Sequence, residues 1–415
     1  MPDVSVPRGA TVKLDRVIGG LIVGRKARIE SSNGNLVSVS GMARFEGAAE
    51  IECDFECDSL SVGSGGVLEV QGNLTVHNLL DVNHSIEVNG EIVAGDVDVG
   101  GKITSKSLKC RQMRVGGMAE IEDKLEVETL TVGGKVEAPG TVSITDFDVG
   151  GQAEIGGGKI TGRIRAGGKF ESSSELEFGD LQVYGKTELA GGSKGKRIST
   201  SGHLSVSGDF ECESIEILGK TEVEGDCKSK IVKVNGMLEV EGSLQSSELI
   251  EINGSVEAGR DVQGAILRIG GKLEAEKVLV SKEIEVVGVL ETTHGLKGET
   301  IKIQSGSRVE GSIVGQTVDI GKGFGVLLDW QKSWMGQVAA MRLIGRMTRV
   351  EDIYADQVRL GRGSKSGRVY ARIVELEDGC IADEIKYTGE LKGNLARSHL
   401  ENPPLKVNEI PTPPL

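Results

Sequence analysis

LTVGGKVEAPGTVSITDFDVGG, residues 130–151, decides the fold. Apolar residues alternate with polar ones, a Gly-Gly pair closes the run, and the same Gly-Gly returns about one coil length, ~17 residues, later. Alternation with period two describes a strand with one buried face, and so short a repeat leaves no room for a strand-helix unit. The anchor glycine recurs at Gly101, Gly117, Gly134, Gly151, Gly168, Gly185, Gly202, Gly219, Gly236, Gly254, Gly271, Gly288, Gly306 and Gly323. Every interval in this series has the same length to within a single position either way. A period held this long is the signature of a solenoid. The predicted fold is all-β: a single-stranded parallel β-helix, right-handed and triangular in section, with three short strands per coil. Gly, Asn and Asp at the bends are read as suppliers of positive φ, as at Asn89, Asn235 and Asn253.

Composition agrees with a thin aliphatic core. The 415 residues include 61 Gly and only 3% aromatics, against 38% hydrophobic residues overall. The absence of a three-residue Gly period excludes collagen. A net charge of −14 argues against nucleic acid as a partner, since phosphate binding needs a basic footprint. No apolar run reaches transmembrane length, and the opening residues do not read as a signal peptide, so the expected location is cytoplasmic. The six cysteines lack metal-ligand spacing, and Cys53 and Cys57 alternate with Ile51 and Phe55 as inward-facing residues.

Outward from the repeat, residues 1–16 read as a flexible arm and 17–388 as one continuous β-helix. Coils within 41–101 are irregular, because the glycine spacing slips there. A Trp-bearing insertion falls at about 324–344, and 389–415 read as a flexible Pro-rich tail.

Three surface features are candidates for function. The first is a column of glutamates three residues after the anchors: Glu120, Glu137, Glu154, Glu171, Glu188, Glu222, Glu239, Glu257, Glu274 and Glu291. Lysines one residue after the anchors offset its charge in part. The column is a solvated face that resists sheet-to-sheet aggregation, or a docking or cation-binding strip. The second is charge asymmetry, with acidic residues over 46–58 and basic ones over 342–372, including Arg359, Arg362, Arg368 and Arg372. The third is Trp330, Trp334 and Met335, a large apolar cluster in a chain poor in aromatics, read as local packing or as an anchor for a partner. No catalytic, cofactor or metal constellation is legible. The five His share no column, and no phosphate-binding loop, nucleophile elbow or calcium loop occurs.

The motifs VDVGGKI, MRVGGMAEIE, LTVGGKVEA, VKVNGMLEVEG, LRIGGKLEAE and VRLGRGSKSGRVYARIVELEDG give residues 17–388 a resemblance to the bactofilins, the polymer-forming cytoskeletal proteins. This chain is about three times the length usual for that family, and LEDGCIADEIKYTGEL points to an archaeal relative. The resemblance implies a right-handed β-helix that polymerises end to end without nucleotide. It also implies roles in cell shape and scaffolding, with cytoskeletal or membrane-associated proteins as further partners. The expected function is therefore a non-enzymatic, self-assembling scaffold. Two alternatives stand beside it: a binding rod that docks a partner through the Trp segment or the Glu column, and, more remotely, a carbohydrate-active β-helix enzyme.

Overall fold

A computed structural model describes residues 3–63, 65–304, 306–321 and 347–414. The chain divides into two compact units, Met1–Ile198 with Gly202–Ser205, and Ser199–Ser201 with Val206–Leu415. Each is a parallel β-solenoid, with about 17 residues per coil and about 22 turns between them.

One coil shows how the alternation builds the fold. The strand Lys135–Val149 runs as three straight stretches separated by corners at residues 139–140 and 145–146. Val136, Ala138, Val142, Ile144, Phe147 and Val149 point inward and are buried, while Lys135, Glu137, Thr141, Ser143, Asp146 and Asp148 point outward. Each stretch pairs in parallel with the corresponding stretch of the coil before and of the coil after. Inward side chains therefore stack on like side chains, and the interior is a column of Val, Ile and Leu rungs. Phe enters it in pairs, with Phe147 and Phe170 edge to face at 5.7 Å and Phe45 and Phe55 at 6.0 Å. All six cysteines are buried, and burial pushes the thiols of Cys57 and Cys110 up to about 12.

The anchor glycines serve a different purpose from the one expected. Among the described anchors only Gly306 has a positive φ, of 86°. At the others the requirement is close approach. A Cβ on Gly134 would meet the carbonyl oxygen of Gly117, and one on Gly117 would meet that of Gly101, far inside the 3.0 Å that real Cβ atoms keep. Gly151, Gly168, Gly236, Gly254, Gly271 and Gly288 stand in the same relation to the anchor one coil earlier. The obstructing carbonyl is itself engaged, since the Gly117 oxygen accepts from the Lys135 amide at 2.8 Å. Both amides of the pair Gly133 and Gly134 converge on the Val115 oxygen, at 2.8 and 3.1 Å.

Several expected boundaries are corrected. Residues 1–16 are not a free arm, because Val4–Val6 pairs with Leu21–Val23 and Thr11–Leu14 pairs with Ala27–Ser31. The coils of 41–101 are paired throughout but vary in length, with Met42 pairing with Ser59 and Leu60 with Leu80, and the glycine spacing slips because Gly72 and Gly90 stand at a different corner from Gly101, whose place one coil earlier is taken by His84. Upstream, the first coils also differ in length. Val4 pairs with Leu21 one ordinary coil on, but Leu21 pairs with Ala43, five positions beyond an ordinary coil. The insertion is a corner loop at 32–35, held by Asp15, whose carboxylate accepts from the Ser32 and Asn33 amides at 2.8 and 3.1 Å. The Trp-bearing stretch lies outside the described residues. Arg308–Ile320 pairs directly with Thr348–Leu360. Residues 389–415 also belong partly to the coils: Ile381–Gly393 continues past 388 and is covered by His399–Leu400 and Leu405–Lys406.

The glycine contacts and the buried threonines each predict a change in stability. Gly134→Ala lowers stability by about 2–4 kcal/mol, because the Gly117 carbonyl and its hydrogen bond must move. Gly133→Ala is tolerated, since its Cβ would meet only the Val115 oxygen at 3.7 Å. Equal melting temperatures for the two variants would refute this account. Thr292 is buried between Ala275 and Val309, and its hydroxyl has no partner among the described residues. Ser307, by contrast, accepts the Leu290 amide at 3.1 Å. Thr292→Val raises stability by about 1–2 kcal/mol, read from thermal or denaturant unfolding.

Candidate functional site: a charged ladder on the first strand face

The first stretch of most coils carries a glutamate, and in five of them, at Lys135, Lys169, Lys186, Lys220 and Lys272, a lysine stands two residues earlier, so that both face solvent. In the first unit Glu120, Glu137, Glu154, Glu171 and Glu188 are successive ladder partners. In the second unit Glu222, Glu239, Glu257, Glu274 and Glu291 are likewise successive. Parallel strands hold such neighbours about 4.8 Å apart, where like charges repel by about 0.9 kcal/mol in water before screening.

Lysines relieve this within and between coils. Lys169 reaches Glu171 at 2.7 Å and Glu154 at 3.8 Å. Lys220 pairs with Glu222 and reaches Glu239 at 3.2 Å, and Lys272 pairs with Glu274 and reaches Glu291 at 3.7 Å. Lys102, Lys135 and Lys186 pair with Glu120, Glu137 and Glu188. These are exposed ion pairs, individually weak. Glu257 is exposed and has no cation partner among the described residues.

The second unit's column then changes sign. Beyond Glu291 its next partners are Arg308, Arg349 and Lys365, followed by Ile381. Arg308 pairs with Glu310 of its own coil. Arg349 and Lys365 are exposed and have no carboxylate partner among the described residues. The basic run is legible in the sequence but this continuation is not, because the step from Arg308 to Arg349 crosses the Trp-bearing stretch and exceeds two coil lengths. The step from Glu291 to Arg308, one ordinary coil, is the only signal in the sequence.

The other predicted basic residues are largely committed to internal pairs. Arg368 meets Asp352 through Nε at 2.9 Å and Nη2 at 2.6 Å, and Arg372 meets Asp356 at 2.7 and 2.9 Å. Arg359 pairs with Glu377 and lies 3.8 Å from Asp319. Arg362 is exposed and outside these pairs. The acidic run is similarly used: Arg28 holds Glu50 and Glu52, and His77 lies 2.8 Å from Glu56. Trp330, Trp334 and Met335 lie outside the described residues.

On the second strand face of the second unit lies an open groove of about 1040 Å³. Gln245, Gln263, Leu279, Lys297 and Val314 form its floor as successive ladder partners. Glu299 is the single carboxylate among its lining residues. Among the described residues no group of His, Cys, Asp and Glu is arranged to hold a metal ion, and no helix is long and apolar enough to cross a membrane. Comparison of the chain with protein-family models, with curated proteins and with solved structures finds no match.

The ladder makes a prediction about pH. Lys272 holds Glu274 below the ordinary carboxylate range through a side-chain hydrogen bond, and Lys186 does the same for Glu188. With the folded value depressed, the unfolded chain takes up protons first on acidification. The pairs' contribution is therefore present above the ordinary carboxylate value of 4.5 and lost as pH falls through the lower folded value. A Lys186→Met, Lys272→Met variant melts below the unsubstituted chain at pH 7, and the gap closes as pH falls through the carboxylate range. A gap that stays constant would show that the lysines act by packing alone.

Proposed function

We propose that this chain is a non-enzymatic, self-assembling scaffold protein that joins end to end through its coils without nucleotide. The observation that carries the reading is the outer edge of the first coil. Among the described residues, Val4–Val6, Thr11–Leu14 and Arg16–Val17 each pair on one side only. The Val4 amide donates to Gly20 and the Val6 carbonyl accepts from Gly24, both at 2.9 Å. Parallel strands send alternate residues to opposite sides, so the Ser5 amide and carbonyl face away from the second coil. Such an edge is a template for another strand. At the other end, 390–393 pair only with the coil before them. Coils of one chain continuing those of another would satisfy both edges.

Two further points support the reading. The resemblance of residues 17–388 to the bactofilins implies nucleotide-free polymers, cytoplasmic or membrane-associated, that scaffold other proteins. The groove on the second face offers one carboxylate, whereas glycoside hydrolysis runs on a pair.

The test is negative-stain electron microscopy without nucleotide, alongside light scattering across concentration. The expected result is filaments that lengthen with concentration. Ser5→Pro removes the outward amide without touching an internal ladder bond, so it shortens or abolishes filaments at a nearly unchanged melting temperature. A single small species at every concentration and salt would overturn the proposal.

A further inference from the structure

The sign change within one column makes the first face of the second unit self-complementary. In rung order, after Glu222 and Glu239, the six outward residues that flank the sign change are Glu257, Glu274, Glu291, Arg308, Arg349 and Lys365. Three carboxylates are followed by three cations at one constant spacing. We infer that this strip is a lateral contact between two copies of the chain, lying antiparallel about a two-fold axis between Glu291 and Arg308.

The geometry follows from the register. A two-fold axis at the sign change places Arg308 of one copy opposite Glu291 of the other, Arg349 opposite Glu274, and Lys365 opposite Glu257. Each pair then occurs twice, as an isologous contact requires. Parallel alignment would set carboxylate against carboxylate and cation against cation, which is repulsive, so the sequence of charges selects orientation and register. The unpartnered groups within one chain match in this arrangement: exposed Glu257 meets exposed Lys365, and exposed Arg349 meets Glu274. Glu274 and Glu291 share Lys272, and Arg308 has Glu310, so the central pairs extend existing ion pairs rather than leave a charge unpaired.

Other partners fit less well. Nucleic acid and anionic lipid would meet three cations beside a longer row of glutamates. A basic partner would find the row partly neutralised by Lys220 and Lys272, and would be repelled by its basic end. Six rungs span about 24 Å, which puts the contact at the small end of specific interfaces. It is accordingly weak between single chains and sensitive to salt. It gains strength wherever one assembly presents the strip repeatedly.

Zero-length carbodiimide cross-linking of the full chain at low salt tests the register. Within one chain Lys365 and Glu257 are five rungs apart, about 24 Å, too far for a direct amide bond. A Lys365–Glu257 or Lys365–Glu274 cross-link therefore reports two copies, and it is expected at low salt and lost at about 0.5 M salt. Sedimentation velocity supplies the second arm. An acidic variant, Arg349→Glu with Lys365→Glu, and a basic variant, Glu257→Lys with Glu274→Lys, each self-associate more than about tenfold more weakly than the unsubstituted chain. Mixed one to one, they associate to within about threefold of it, because each supplies what the other lost. If the basic variant fails to fold, Glu257→Gln with Glu274→Gln replaces it and pairs with the unsubstituted chain in the same assay. Absence of both cross-links under associating conditions, association indifferent to both variants, or loss without recovery on mixing would each overturn the inference. The Ser5→Pro chain, blocked at its first coil, retains the cross-link, so failure of end joining and failure of the lateral strip are read separately.

Discussion

The close contact between each anchor glycine and the carbonyl of the anchor one coil earlier is the constraint on which the rest depends. Coils in a parallel ladder lie about 4.8 Å apart, and at this corner the chain turns so tightly that nothing fits between them. A side chain there would displace the carbonyl, break its bond to the next coil and tilt the rungs that follow. From Gly101 to Gly288 this corner carries glycine, and over those coils the length is held nearly constant, with slips of a single position. Because coil length is held, inward and outward positions stay in register from coil to coil.

Register turns composition into surface pattern. A glutamate three residues after an anchor is unremarked in one coil, but repeated at fixed spacing it becomes a column of carboxylates. Lysine two residues earlier on the same strand lies within reach of its own coil's glutamate and the neighbouring one. The ladder thus tolerates its charge through many weak ion pairs rather than a few strong ones. In the second unit the same column carries the opposite sign from Arg308 onward, which no stretch of consecutive residues reveals.

The arginines show why a count of charges misleads. Arg368 and Arg372 look like a basic docking patch in the sequence, yet each forks onto an aspartate one coil earlier, Asp352 and Asp356. Arg349 and Lys365, less conspicuous, remain open on the first face. Which cation is open is settled by what the neighbouring coil places beside it, a full coil away along the chain.

Sequence alone determined the solenoid, its period, the inward residues and the glutamate column, because each depends on local alternation repeated at a constant step. It misplaced the first and last coils, where too few repeats remain to display a period, and it lost phase at 41–101. There Gly72 and Gly90 mark a different corner from Gly101, and His84 stands where the glycine series would continue. It assigned the anchor glycines to positive φ, whereas their need arises from a carbonyl in another coil. Only tertiary structure decided that need, the pairing of the arginines and the passage of the column from Glu291 through Arg308 to Arg349. Those facts concern atoms adjacent across coils, and after the long step from Arg308 to Arg349 adjacency in space no longer follows from spacing in the chain.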